Sequence, residues 1–219
     1  MSKATTRTLR QFYDAMYKAL GPQKWWPGES PVEIIVGAIL TQNTNWGNVE
    51  RAIANLREAG LLDWRALHRI ETPRLAELIR PAGYFNGKAQ RLKNFVEWLC
   101  RRHDGDLSQL AKIELGRLRE ELLSINGVGP ETADSILLYA LERPSFVVDA
   151  YTARILRRHG MTFSGYGALQ AIFEDHLPSE VGLFNEYHAL MVAVGKHFCR
   201  PKARCEACPL RRFMHDETA

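Results

Sequence analysis

A chain of 219 residues, 46% of them hydrophobic, can bury a core without disulfide staples, and its formal charge of +4 permits a polyanionic partner without demanding one. No uninterrupted apolar stretch of about eighteen residues occurs, which excludes a membrane-spanning helix. The N-terminal MSKATTRTLRQFY lacks the apolar centre of a signal peptide, so the expectation is a protein that works inside a cell, where clustered cysteines read as metal or cluster ligands rather than disulfides.

Strand signals are nearly absent and apolar residues recur at three- and four-residue spacing from end to end, so the expected fold class is all-α. Leu9, Phe12, Met16 and Leu20 share one face of a first helix that stops at Gly21 and Pro22. After the loop QKWWPGE, Ser30, Pro31 and Glu33 form a start signal: a hydroxyl N-cap, a proline at the first helical position and a carboxylate placed to reach back. The helix they open, PVEIIVGAILTQ, is apolar on most sides and is expected to be central. Further helices are predicted over 46–59, 63–69, 73–81, 86–103 and 115–124, with Thr72–Pro73 capping one and Gly83 or Gly87 breaking the chain before residue 86. Beyond a GVG turn come helices over 130–142, 150–159, 165–175 and 180–198, then a short tail bearing Cys199, Cys205 and Cys208; Cys100 stands apart as a helix thiol. Such short connections suggest two helical lobes.

The segment LLSINGVGPETADSILLYAL reads as helix, tight turn, helix. Leu122, Leu123 and Ile125 bury one arm and Ile136, Leu137 and Leu138 the other, while Gly127 and Gly129 allow positive φ or close backbone approach. A glycine turn opening a helix can hold an anion on its amides, but it is equally the linker of a plain αα-hairpin, and the lysine of a nucleotide loop is missing. Downstream, FVVDAYTARILRRHG uses an apolar extended run to deliver one carboxylate, Asp149, to a helix start, where it is an N-cap or a chemical group.

Turn and aspartate together resemble the helix-hairpin-helix and Gly/Pro-Asp superfamily of DNA base-excision glycosylases, which includes endonuclease III. The resemblance covers nearly the whole chain, including ILTQNT at 39–44 and the tail HFCRPKARCEACPL. It implies a two-lobed, endonuclease III-like fold with a six-helix barrel over 22–133 and a second lobe from 1–21 and 134–219. It implies a partner, double-stranded DNA with a damaged base, met in the cytoplasm at the nucleoid of a bacterium or archaeon; a monomer is the default expectation, and the lack of an apolar span leaves no membrane expected. It also implies roles: Gly127, Val128, Gly129 and Thr132 hold a DNA phosphate, Gln42 fills the gap left by the extruded base, and Asp149 serves the excision.

Family members that also cut the backbone carry a lysine in a GVGRKTA hairpin, whereas this chain reads GVGPETA, with Glu131 at the lysine position. A carboxylate cannot form an imine with the sugar, so the resemblance implies a glycosylase that stops at base removal. Glu131 then reads as a first-turn carboxylate favourable to the helix dipole, or as a water-positioning group at the pocket edge. KWWPGESPVEIIVGAILTQNTNW resembles the 3-methyladenine DNA glycosylase III branch, in which Trp25, Trp26 and Pro27 with an aromatic at Trp46 would sandwich an alkylated purine; the branch usually has Phe at the last position. Competing readings are a glycosylase for oxidised or mismatched pyrimidines and a non-catalytic helix-hairpin-helix DNA binder.

Relatives with a [4Fe–4S] cluster use four cysteines, but here C-x₅-C-x₂-C supplies three and the fourth position falls near Met214 or His215. Three readings follow: a cluster with His215 or an outside ligand, a Cys₃His zinc site, or no metal. Lys202, Arg204, Arg211 and Arg212 around this tail read as phosphate contacts or as a solvated basic face.

Overall fold

The computed structural model describes residues 3–25, 28–213 and 215–216. Among them the fold is all-α, with no strand, as the periodicity requires. The described α-helices are α1 (Lys3–Leu20), α2 (Pro31–Leu40), α3 (Trp46–Glu58), α4 (Trp64–Arg69), α5 (Thr72–Leu78), α6 (Phe85–His103), α7 (Leu115–Leu123), α8 (Pro130–Ser135), α9 (Ala150–Arg158), α10 (Gly165–Glu174) and α11 (Val181–His197). None is long and apolar enough to cross a membrane.

The chain divides into two compact units, Trp26–Arg143 and Met1–Trp25 with Pro144–Ala219. Ile136 and Leu137, beyond the hairpin turn, are wholly buried in the core of Trp26–Arg143.

In Trp26–Arg143, α2 is central: Ile35, Val36, Ile39 and Leu40 are inaccessible, and the helix packs on α3, α6 and α8. Its entry follows the start signal in part. Ser30 accepts the Glu33 amide at 3.3 Å and Pro31 opens the helix, but the Glu33 carboxylate reaches one residue further back, to the Glu29 amide at 2.9 Å, and turns its other oxygen to Arg57 at 2.5 Å. Arg57 pulls the carboxylate toward α3, so the expected reciprocal box does not close on Ser30 itself. At α5 the cap position falls to Glu71, with Thr72 and Pro73 inside the first turn. Gly83, at φ +69°, supplies the break before α6, whereas Gly87 lies inside that helix. The helix predicted over 130–142 is interrupted: α8 passes into a π-helical turn, Ile136–Ala140, whose wider ring is a frequent feature of functional helices.

In the other unit α11 packs on α9 and α1, with Phe184, Tyr187, Leu190 and Met191 buried and the Tyr187 hydroxyl donating to the Leu9 carbonyl at 2.8 Å. The extended run before Asp149 has no sheet to pair with. Instead α10 lines up Tyr166, Gln170 and Glu174 at four-residue spacing, one face of a helix. The Tyr166 hydroxyl accepts from the Val148 amide (3.5 Å), Gln170 donates to the Phe146 carbonyl (2.9 Å), and Glu174 accepts from the Phe146 amide (2.7 Å). Phe146 stacks on Phe173 of the same helix, centroids 4.0 Å apart. Buried backbone groups thus find side-chain partners, and the run is fixed along its length.

Candidate active-site residues

The hairpin is built as the sequence reads, α7, turn, α8. Its turn is closed by the Ile125 amide on Leu122 O (3.1 Å) and the Val128 amide on Ile125 O (3.0 Å), and Gly129 opens α8 without a side-chain cap. The Val128 amide is therefore engaged inside the turn. The two arms are clasped by Arg119 of α7, whose Nε and Nη2 meet both oxygens of the fully buried Asp134 at 2.7 and 3.0 Å. A bidentate pair of this kind fixes geometry as well as charge. Glu131 is exposed in the first turn of α8.

Gly127 is required twice over. Its φ of +95° suits glycine alone, and a Cβ there would collide with Cγ of Arg91. Gln42, just past the end of α2, is drawn onto this turn: its Nε2 donates to Gly127 O at 3.2 Å and to Thr132 Oγ1 at 3.1 Å, while its Oε1 accepts from Arg91 Nη1. Thr132 is buried, so its hydroxyl serves this internal contact. Trp46, the first residue of α3, is half-buried and covers Gly37 of α2, where a Cβ would approach its ring to 3.2 Å. Trp26 and Pro27 lie outside the described residues.

Asp149 caps α9: Oδ1 accepts from the Thr152 amide at 2.7 Å and from the Thr152 hydroxyl at 2.9 Å. Oδ2 stands 3.7 Å from Nε2 of His188 on α11, and the two side chains are 13% and 6% exposed. Burial pushes the carboxyl's pKa up, but the neighbouring His188 imidazole and the two Thr152 hydrogen bonds outweigh it, so the group is held below its ordinary value. Trp25 lies tilted against the His188 ring, centroids 5.4 Å apart. The structure thus makes Asp149 the N-cap of α9, and an anion so held can also face a developing positive charge.

The cysteine tail departs from the expected ligand set. Sγ of Cys199 accepts from Arg158 Nη1 at 3.3 Å, and the same buried guanidinium donates to Arg200 O (2.7 Å) and Pro201 O (3.0 Å). Burial pushes the Cys208 thiol up. Nδ1 of His215 lies 2.7 Å from Phe213 O, with its ring 5.6 Å from that of His159. Among the described residues no three His, Cys, Asp or Glu side chains gather to hold a metal, so Cys199, Cys205, Cys208 and His215 do not fit a cluster or a Cys₃His zinc site as arranged; Met214 lies outside the described residues. The loop 200–204 instead lines a cavity of about 420 Å³ with Arg200, Lys202 and Arg204.

Three features escaped the sequence. Arg91 has no motif around it. His188 is a lone imidazole in the apolar run YHALMV, a signal that pointed equally to a satisfied core residue. Tyr84 is 80% exposed at φ +45°, a backbone that a bulky residue rarely adopts.

Residues 36–178 match the HhH-GPD superfamily of base excision DNA repair proteins, and the chain belongs to that family; it is a DNA glycosylase. It is 49% identical over 209 residues to a putative DNA repair glycosylase of Methanocaldococcus jannaschii, covering 94% of each chain. An endonuclease III of Sulfolobus acidocaldarius is 30% identical, over 82% of this chain and 79% of its own. Among solved structures, an H. pylori 3-methyladenine DNA glycosylase bound to 1,N6-ethenoadenine superposes with a TM-score of 0.76 at 28% identity, covering 88% of this chain and 97% of its own. A trapped endonuclease III–DNA intermediate shares the fold at a TM-score of 0.82 and 21% identity, over 97% of this chain and 96% of that one.

Proposed function

We propose that this glycosylase hydrolyses the N-glycosidic bond of alkylated purines such as 3-methyladenine and leaves the abasic strand intact. The observation that carries the reading is the fixed, ionised Asp149 combined with Glu131, not lysine, in the hairpin. In this reading the cationic base departs with the glycosidic electron pair and becomes neutral. Asp149 stabilises the oxocarbenium-like sugar, and attacking water bonds C1′ and releases its proton toward the carboxylate. A lowered pKa suits the electrostatic part of that task best. With no amine at 131, no imine forms at C1′ and no strand scission follows.

The substrate class is supported by the WWP loop, by Trp46 and by similarity to the H. pylori enzyme. The amides of Gly127 and Gly129 take a backbone phosphate, Gln42 enters the gap left by the base, and Tyr84 offers an exposed ring to the duplex. Similarity to an endonuclease III favours a second reading, excision of oxidised or mismatched pyrimidines.

A duplex panel carrying 3-methyladenine, 7-methylguanine, thymine glycol, uracil and mismatches separates the two. We expect release of the alkylated purines, no adduct on borohydride trapping, and a loss of about 10²- to 10⁴-fold in Asp149→Asn, which preserves the helix cap. Release of thymine glycol alone would favour the second reading, and unchanged release by the variant would remove Asp149 from the mechanism.

A further inference from the structure

Gln42 does not wait in solvent for a gap to fill. Its amide spends both donor hydrogens on the hairpin, at Gly127 O and Thr132 Oγ1, and its oxygen on Arg91. The backbone beneath it is also fixed, since Thr41 donates to Gly37 O at 2.8 Å at the end of the buried α2 and Thr44 closes a turn onto Thr41 O at 3.3 Å. The guanidinium decides which way the amide faces. Turned over, Gln42 would set its oxygen against the Gly127 carbonyl and its NH₂ against Arg91, losing both of those bonds and keeping only one to the Thr132 hydroxyl, which can turn to donate.

Arg91 in turn is held by shape. Its stem fills the space where a Cβ on residue 127 would stand, and one turn along the same face of α6 Asn94 donates to Asn126 O at 2.9 Å. The glycine of the turn therefore admits the arginine that orders Gln42. We propose that Arg91 is a positioning residue for Gln42: it keeps the gap-filling side chain pre-ordered on the phosphate-binding turn, so that gripping the backbone and presenting Gln42 are one event. This rests on the reading of Gln42 given under Proposed function. Freezing a glutamine only at the moment of binding would weaken insertion by roughly five- to thirty-fold.

The test is a double-mutant cycle on the full chain, read by anisotropy and fluorescence. The probe duplex carries a tetrahydrofuran abasic analogue with 2-aminopurine beside it, and undamaged duplex is the reference. Arg91→Met keeps the stem against Gly127 and removes the donors. We expect Gln42→Ala and Arg91→Met each to lower the preference for the gapped duplex about tenfold and to reduce the 2-aminopurine response. In the Gln42→Ala background Arg91→Met should cost less than about twofold, and Arg91→Lys, which retains a donor, should recover part of the loss. An equal cost of Arg91→Met with and without Gln42 would make Arg91 a mere clasp of the turn and overturn the proposal, as would an unchanged preference in Arg91→Met while Gln42→Ala falls. No effect of Gln42→Ala itself would sink the gap-filling reading, and this inference with it. Should Arg91→Met fold poorly, Arg91→Lys against Arg91→Gln carries the same comparison.

Discussion

The hairpin at 124–135 and the cysteine tail at 199–208 are the two most conspicuous motifs in the chain, and the structure treats them differently. At the hairpin the motif residues take the places the motif gives them: Gly127 adopts positive φ, Gly129 opens α8, and Thr132 faces the turn. At the tail the path of the backbone is equally ordered, but its organiser is not a motif residue. Arg158, in a different helix, gathers Cys199 Sγ, Arg200 O and Pro201 O around one buried guanidinium. The lesson is that spacing predicts geometry where backbone φ preferences and a helix start decide it, and predicts much less where it depends on which side chains converge.

That contrast can be broken from either side. The largest stability effect is expected from Arg158→Met, because two carbonyls and a thiol lose their common partner in a buried site; about 2–4 kcal/mol should be lost in urea unfolding. A loss under about 1 kcal/mol would mean that the tail is organised by something other than this side chain. Gly127→Ala comes next, at about 1–3 kcal/mol, combining positive φ with overlap against Arg91. Its thermal midpoint should partly recover when Arg91 is shortened to Ala in the same chain, and no recovery would separate the glycine from the arginine. Cys205→Ser should change metal content least of all: with no metal-holding group among the described residues, iron and zinc in the purified protein should be the same before and after the substitution. Stoichiometric iron or zinc lost in step with that substitution would reinstate the ligand set and make the two regions alike.

Asp149 lies between these extremes. Its position at a helix start was legible, because an apolar extended run ending in Asp before a basic amphipathic stretch has few other readings. What holds it was not. The α10 row of Tyr166, Gln170 and Glu174 lies within about one helical segment in sequence but serves a run whose amides no pattern could assign, and His188 comes from a helix that reads as plain core. Likewise, most helix bounds came from caps and glycines to within a residue or two, the exceptions being α5, which stops three residues short of 81, and the interrupted 130–142, while the Glu33 reach to Glu29 and the π-turn after α8 depended on Arg57 and on packing against α2.

By itself the sequence determined the all-α class, the order of the helices, the hairpin turn and the aspartate after it, since periodicity, capping residues and glycine φ preferences act within a few residues. Only the tertiary structure decided that Gln42 is tied to the hairpin through Arg91, that Asp149 is paired with His188, and that Cys199 faces Arg158. Each of these joins residues more than thirty positions apart. A hydrogen bond between such groups depends on where two helices bring their side chains, and no local pattern carries that information.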